Sequence, residues 1–568
     1  MSATAATLSV PLRVRPRSRA TLHALRGADA DAGVRRLVAA RAGGRPRLAV
    51  LAREFLRRGA HERLGFRSLG DFARERLGVG ARVFREWARV WEALTHLPAL
   101  RASVLSGDVS WSVARMVVGI ATPETDEDCA ATVQHRTVRA VGAMLRALPA
   151  EAAPPQETDA AAKSAVYVTA PLPAEALPRW HYALELARRV AGEALPVWAC
   201  AEAIAAETLA AVGDDTSDTQ HPCVSGDFPG TPGRRTQGGR EAPPDGQEHG
   251  LRHAAFPLVR WLHGPPSRSD GALLALAQWA HDASAHALDD ALRREHSALQ
   301  HVDADLGALL REILERGLYR ELGFGRFDRY VEERVDVSPR TARRWVRLAR
   351  GDADTREVAS AFREARVTGL QAEVVLASAV GNAPAWLARA ASLTLRGLED
   401  VAREAAATGA LEPATLRFRA PESVASVFFA AIEAARRRLE RSSTTRGAVG
   451  SPAALLWMIE HAITAWQQQG AQFRDYADFG RDGWRCTAPG CTARRNLQSH
   501  HIVFRSHGGP DVPSNRTTLC AFHHLRGVHG GTIACKGHAP DSLVFSLGLR
   551  PGGGAPLLRA RSGDVLVA

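Results

Sequence analysis

The sequence predicts a mainly α protein in which two tandem copies of one helical unit precede a small Cys- and His-rich strand-turn-strand-helix unit. Three observations predict this. The stretch LAREFLRRGAHERLGFRSLGDFARERLGVGARVFREWARV, from Leu51, aligns without gaps onto LLREILERGLYRELGFGRFDRYVEERVDVSPRTARRWVRL, from Leu309. Apolar residues three and four apart (Leu48, Leu51, Phe55; Leu306, Leu310, Ile313, Leu314) give the first element of each copy the stripe of an amphipathic helix. Four of the seven cysteines crowd into the last sixth of the chain among histidines.

Residues 1–30 are Arg-rich with little periodicity and are expected to be flexible. The first copy spans about 31–210. From Gly213 to Gly250 the chain is dense in Gly, Pro, Asp, Gln and Thr, too polar to bury the surface that would offset its chain entropy, so a disordered linker is expected over 211–255. A helical connector over 256–300 leads into the second copy, about 301–470. The copies share Arg53/Arg311, Glu54/Glu312, Gly59/Gly317, Gly65/Gly323 and Trp87/Trp345. Weaker echoes follow, TVRAV at Thr137 against TLRGL at Thr394 and ALELARR at Ala183 against AAIEAARR at Ala430. Repetition of this kind sets the architecture.

Each copy also holds a helix-turn-helix pattern. In the second, FDRYVEER forms one helix, Val335 to Val337 the turn, and a second helix starts with Ser338 as N-cap and Pro339 at its first position. Arg340, Arg343 and Arg344 fall on that second helix within reach of phosphates or base edges; the bland alternative makes them a solvated face and Trp87 and Trp345 core anchors.

The bulk numbers narrow the function classes. With 568 residues and 45% hydrophobic content the chain suits several globular domains. It has no apolar run near the ~18 residues that cross a bilayer, so no membrane partner and a cytoplasmic location are expected. The net charge of +12 permits nucleic-acid binding. It is almost all arginine, with Lys163 and Lys536 the two lysines, as an Ala-, Arg- and Gly-heavy composition from a GC-rich genome also produces. Cys129, Cys200 and Cys223 are scattered, which excludes a disulfide framework.

The chemistry sits in RDGWRCTAPGCTARRNLQSHHIVFRSHGGPDVPSNRTTLCAFHHLRGVHGG. Cys486 and Cys491 flank a Pro-Gly turn, and His523 follows Cys520 by three positions; two such pairs supply the four ligands of tetrahedral Zn²⁺. The expected structural site is Cys486, Cys491, Cys520 and His523, although His524, His529, Cys535 or His538 compete for a place in it. Ile502, Val503 and Phe504 read as a strand leading out of the paired His500 and His501, Asp511 to Thr518 as a return connection, and Leu519 onward as a helix. So small a unit needs a metal staple.

His501, then Asn515, then His524 at this spacing resemble the HNH motif of ββα-metal endonucleases, and the cysteine pairs resemble its zinc-containing branch. The resemblance covers about 60 residues. It implies an HNH nuclease domain over 471–545 with a tail over 546–568, hydrolysing phosphodiester bonds in DNA. It casts His501 as general base, Asn515 as the residue that fixes the loop, and His500 and His524 as ligands of a second ion. Mg²⁺, Mn²⁺ or another divalent transition metal would serve, with the neutral His500 favouring a borderline ion. Arg505 and Arg516 would clamp phosphates. The helical copies would bind DNA or partners, or join two chains as a homodimer. The rival reading is a catalytically inactive, zinc-stabilised nucleic-acid-binding protein.

Overall fold

The computed structural model describes residues 14–17, 22, 25–147, 165–173, 176–213, 256–259, 270–350, 353–379, 382–407, 414–442, 449–468 and 477–567. The chain is predominantly helical with small antiparallel sheets. Nearly all of the expected linker, and most of the expected flexible N-terminus, lie outside the described residues. Among the described residues no helix is long and apolar enough to cross a membrane.

The elements used below are, in chain order, α1 (Gly27–Arg57), α2 (Ala81–Thr95), β1 (Ala165–Leu172), α3 (Leu177–Ala191), α4 (Val197–Gly213), α5 (Ala285–Glu315), α6 (Phe327–Arg334), α7 (Pro339–Ala349), α8 (Gly369–Ser378), α9 (Leu395–Ala407), β2 (Ala414–Pro421), α10 (Glu422–Ser442) and α11 (Ser451–Gln468). They continue with β3 (Leu497–His501), β4 (Arg516–Cys520), β5 (Ile533–Lys536), β6 (Val544–Leu547), β7 (Leu558–Arg561) and β8 (Val565–Leu566).

Two compact units result, and both are discontinuous in sequence. One takes Met1–Gln156, Ala255–Glu412 and Asp475–Ala568; the other takes Glu157–Ala254 and Pro413–Arg474. The copies expected to stand one after the other along the chain are therefore each divided, first part to the larger unit and second part to the smaller.

In the larger unit α1 of the first copy packs on α5 of the second. The apolar stripes predicted for them are buried: Leu48, Leu51, Phe55, Leu306, Leu310 and Ile313 are each at most 1% exposed, and each contributes about 1.5–3 kcal/mol. Glycine permits the close approach, since a Cβ at Gly44 would lie 2.7 Å from Leu299 Cδ2. The repeat extends to backbone detail, with left-handed φ at Gly59 and Gly317 (56° and 67°) and at Gly65 and Gly323 (82° each). The helix-turn-helix of the second copy forms as α6 and α7, and Ser338 Oγ accepts from Thr341 N at 3.2 Å. Trp345 on α7 is buried beneath Arg41.

The smaller unit is built the same way from the second parts of the copies. β1 and β2 pair antiparallel, Ala165 opposite Pro421 through Leu172 opposite Ala414. Its core joins Trp180 on α3 to Phe418 on β2 and Phe428 on α10, with ring centroids 5.4–6.2 Å apart.

The C-terminal segment belongs to the larger unit. β3 and β4 form a two-stranded antiparallel ribbon, His500 opposite Thr517 and Leu497 opposite Cys520. A π-helical turn, Phe522–Val528, follows. The strand-turn-strand-helix order is as expected, but its positions are not. The first strand runs into the paired histidines from Leu497 instead of out of them through Ile502 to Phe504, and the return strand reaches Cys520 before the helix starts. The β-branched Ile502 and Val503 lose to pairing, since the hydrogen-bonded partner of β4 is the polar LQSHH. Beyond this, β5 to β8 form a four-stranded antiparallel sheet in the order β8, β7, β6, β5, and two of its strands, with the end of a third, come from what reads as a tail.

Candidate metal centres

Cys486 and Cys491 stand on a tight knuckle in which Gly490 has φ +68° and Cys486 N donates to Ala493 O. Cys520 closes β4, and His523 lies in the first turn after it. All four side chains are buried and their ligand atoms lie within 4.8 Å of one another. His523 Nδ1 is 3.2 Å from Cys486 Sγ and 3.4 Å from Cys520 Sγ. Ligands of tetrahedral zinc, with bonds of about 2.0–2.3 Å, are separated by about 3.5 Å. Burial opposes charge on the His523 ring, but the sulfurs of Cys486 and Cys520 beside it outweigh that and raise its pKa to about 10. Hydrogen bonds from Cys486 and Cys491 hold the Cys520 thiol far below its ordinary value. The same contacts push the Cys491 thiol the other way, well above its ordinary value, so the three sulfurs share their protons within one cluster. Three buried sulfurs and one imidazole nitrogen at this spacing could hold a soft or borderline metal ion. Cys535 and His538 lie outside the set; burial raises the Cys535 thiol.

The helical copies grip this knuckle. His523 Nε2 lies 2.9 Å from the carbonyl of Gly65, which assigns the proton to Nε2 and leaves Nδ1 as the ligand atom. Arg396, at the start of α9, donates from Nη1 to the carbonyls of Cys486 and Cys491 and from Nε to Asp564 Oδ2 at 2.6 Å. Asp564 Oδ1 in turn accepts from Gly490 N at 2.8 Å. Thr492 donates to Asp71 at 2.7 Å. Glu75 accepts from the backbone N–H of Leu395 and Arg396, which seats the N-terminus of α9 against the first copy.

A second cluster unites His500, His524 and His529. His500 is 1% exposed, and neither ring nitrogen has a hydrogen-bond partner among the described residues. Burial, then the neighbouring histidines, push its pKa down to about 3, so the ring is neutral with a lone pair free. His524 Nδ1 lies 2.7 Å from Gln498 Oε1, which turns Nε2 toward His529 Nε2, 3.2 Å away. Such an orphaned buried imidazole costs about 1–3 kcal/mol unless something satisfies it. A divalent cation would do so, and the three rings lie close enough together to hold one. His529, absent from the expected ligand pair, joins because the turn is π: His529 N donates to His524 O, five residues back. In an α-helix five residues rotate the side chain by about 140°, off the shared face.

His501 closes β3 beside this cluster. Its Nε2 is 3.1 Å from Asp511 Oδ1 and 3.2 Å from Arg505 Nε. Asn515 is buried and clamps the intervening loop, accepting from Val503 N at 2.8 Å and donating to Val503 O and Pro510 O at 3.0 and 2.9 Å. The loop closes so tightly that a Cβ at Gly509 would lie 1.9 Å from Val503 O.

The expected phosphate ligands fall into two places. Arg505 and Arg516 both lie beside His501, pairing with Asp511 at 2.8 and 3.4 Å. Arg340, Arg343 and Arg344 lie on α7; Arg340 is exposed, Arg343 pairs with Asp328 at 2.7 Å, and Arg344 is turned inward against Glu373 on α8 at 2.8 Å. The contributions of Asp511, Gly65, Arg396 and Asp564 went unseen in the sequence; His529 was a candidate there for the cysteine site, and the structure groups it with His500 and His524 instead. No protein-family model, curated protein or solved structure matches the chain.

Proposed function

We propose that the protein is a metal-dependent endonuclease of the HNH type that hydrolyses phosphodiester bonds in DNA, with Cys486, Cys491, Cys520 and His523 holding a structural Zn²⁺. The observation that carries the reading is the orphaned His500 ring, grouped with His524 and His529 one residue from His501.

His500, His524 and His529 would hold the second ion. When bound it supplies positive charge that stabilises the phosphorane and the leaving 3′ oxygen. An all-imidazole set ranks Mn²⁺, Ni²⁺ or Zn²⁺ above Mg²⁺, because hard Mg²⁺ prefers oxygen ligands. His501 takes the proton of the attacking water, for which an imidazole is suited near neutral pH. Asn515 keeps the loop, and with it the approach to His501, in one conformation. Arg505 and Arg516 orient the phosphate. Arg343 and Arg344 are tied to Asp328 and Glu373, so the DNA contacts of the helical copies are assigned to Arg340 and the exposed face around it. A homodimer through the helical region is proposed alongside, to be tested by sedimentation.

The test is plasmid nicking with Mg²⁺, Mn²⁺ or Ni²⁺, wild type against His501→Ala. Metal-dependent cutting lost in His501→Ala, with zinc retained, is the expected result. Equal nicking by both proteins, or none in any metal, sinks the proposal; salt-dependent DNA binding without cleavage would favour the inactive zinc-stabilised binder instead.

A further inference from the structure

Asp511 belongs to no metal cluster, and no role for it follows from the HNH spacing. Its carboxylate is 54% exposed, yet three side chains converge on it: His501 Nε2 at 3.1 Å and Arg516 Nη1 at 3.4 Å on Oδ1, and Arg505 Nη2 at 2.8 Å on Oδ2. Its backbone is placed by the Asn515 clamp, which grips the carbonyl of Pro510 directly before it. The chain of contacts runs from buried Asn515 through Pro510 and Asp511 to the ring of His501.

We propose that Asp511 is a positioning residue for His501: it accepts a hydrogen bond from Nε2 and so turns the Nδ1 lone pair to the attacking water. The inference rests on the nuclease reading above. The two contacts at Nε2 compete, because one nitrogen cannot donate to Asp511 and accept from Arg505 together. Asp511 prevails, since Arg505 already has the carboxylate as an acceptor through Nη2, whereas donation from Nε2 satisfies the ring and the anion at once. In open solvent such a bond adds little stability. Its value lies in orientation, and DNA lying over the loop excludes water and strengthens it.

The rival role is that of a placeholder, a carboxylate occupying the phosphate's seat between Arg505 and Arg516 until DNA displaces it. Steady-state cleavage by the full chain separates the two. Asp511→Asn, with zinc content unchanged, should lower kcat by about 10–100-fold and leave KM for DNA within about threefold. Asp511→Glu, a carboxylate on a longer arm, should recover part of that kcat. Wild-type kcat in Asp511→Asn, with or without a lower KM, overturns the inference while leaving the nuclease reading standing. A wild type inert in every metal overturns both.

Discussion

Arg396→Met should loosen the Cys486/Cys491 knuckle, and with it the proposed zinc site, although the changed residue is not among the proposed ligands. Arg396 and Asp564 have side chains 9% and 1% exposed, and the guanidinium joins the carboxylate to the carbonyls of Cys486 and Cys491. Methionine fills much of the volume but leaves Asp564 as a buried anion with Gly490 N as donor, and two carbonyls without theirs. Breaking a buried pair on one side costs about 3–5 kcal/mol. If that whole cost falls on the metal-bound form, zinc affinity drops by about 10²- to 10³-fold, at about 1.4 kcal/mol per decade. Competition against a chromogenic chelator measures it. Adding Asp564→Asn removes the stranded charge with a residue that tolerates the left-handed φ of 64° at this position, and should restore part of the affinity, the non-additivity of a coupled pair. Single-variant affinity within a few-fold of wild type, or a double variant no better than the single, would refute the claim that the helical copies brace the knuckle through this pair.

Other positions give independent checks. Gly509→Ala forces a Cβ into the Val503 carbonyl and against Asn515, so cleavage should fall at least about 100-fold with zinc retained; near-normal cutting would show the loop to be tolerant. His529→Ala should weaken the second metal site by at least about tenfold in a Mn²⁺ or Ni²⁺ titration of zinc-loaded protein, and unchanged affinity would remove it from the ligand set. Ser338→Ala removes the cap of α7 and should cost about 1 kcal/mol in urea unfolding of the full chain, with no change in zinc content. Tyr330→Phe takes away the hydroxyl that donates to buried Asp31 at 3.1 Å and should cost about 1–3 kcal/mol, reduced to the extent that Arg35 compensates.

What could be read from the sequence was what is local. The knuckle Cys486/Cys491, the Cys520/His523 pair, the Ser338 cap and the apolar stripes of α1 and α5 each follow from spacing within one segment. The misplaced first strand shows the limit: Ile502 and Val503 have the side chains of a strand, but the hydrogen-bonded ladder belongs to the polar residues before them. The division of the two copies between units was equally hidden, because it depends on β1 meeting β2 across the chain and no residue in either strand announces its partner. Asp564 looked like part of a tail. Its importance comes from Arg396, 168 residues earlier, and a pairing at that distance leaves no mark on local composition.

The bond from His523 to the Gly65 carbonyl spans 458 residues, and that span sets an order of events. At about 5–20 residues per second, a ribosome needs about 20 to 90 seconds to bring the second partner out after the first. Until then Gly65 waits without its histidine; Thr492 comes out to Asp71 somewhat before, and Asp564 to Arg396 somewhat after. The histidine cluster, carried on the ribbon and turn beside the knuckle, is synthesised after both helical copies. A nascent or truncated chain of this protein therefore lacks the contacts that tie its helical copies to the Cys and His clusters.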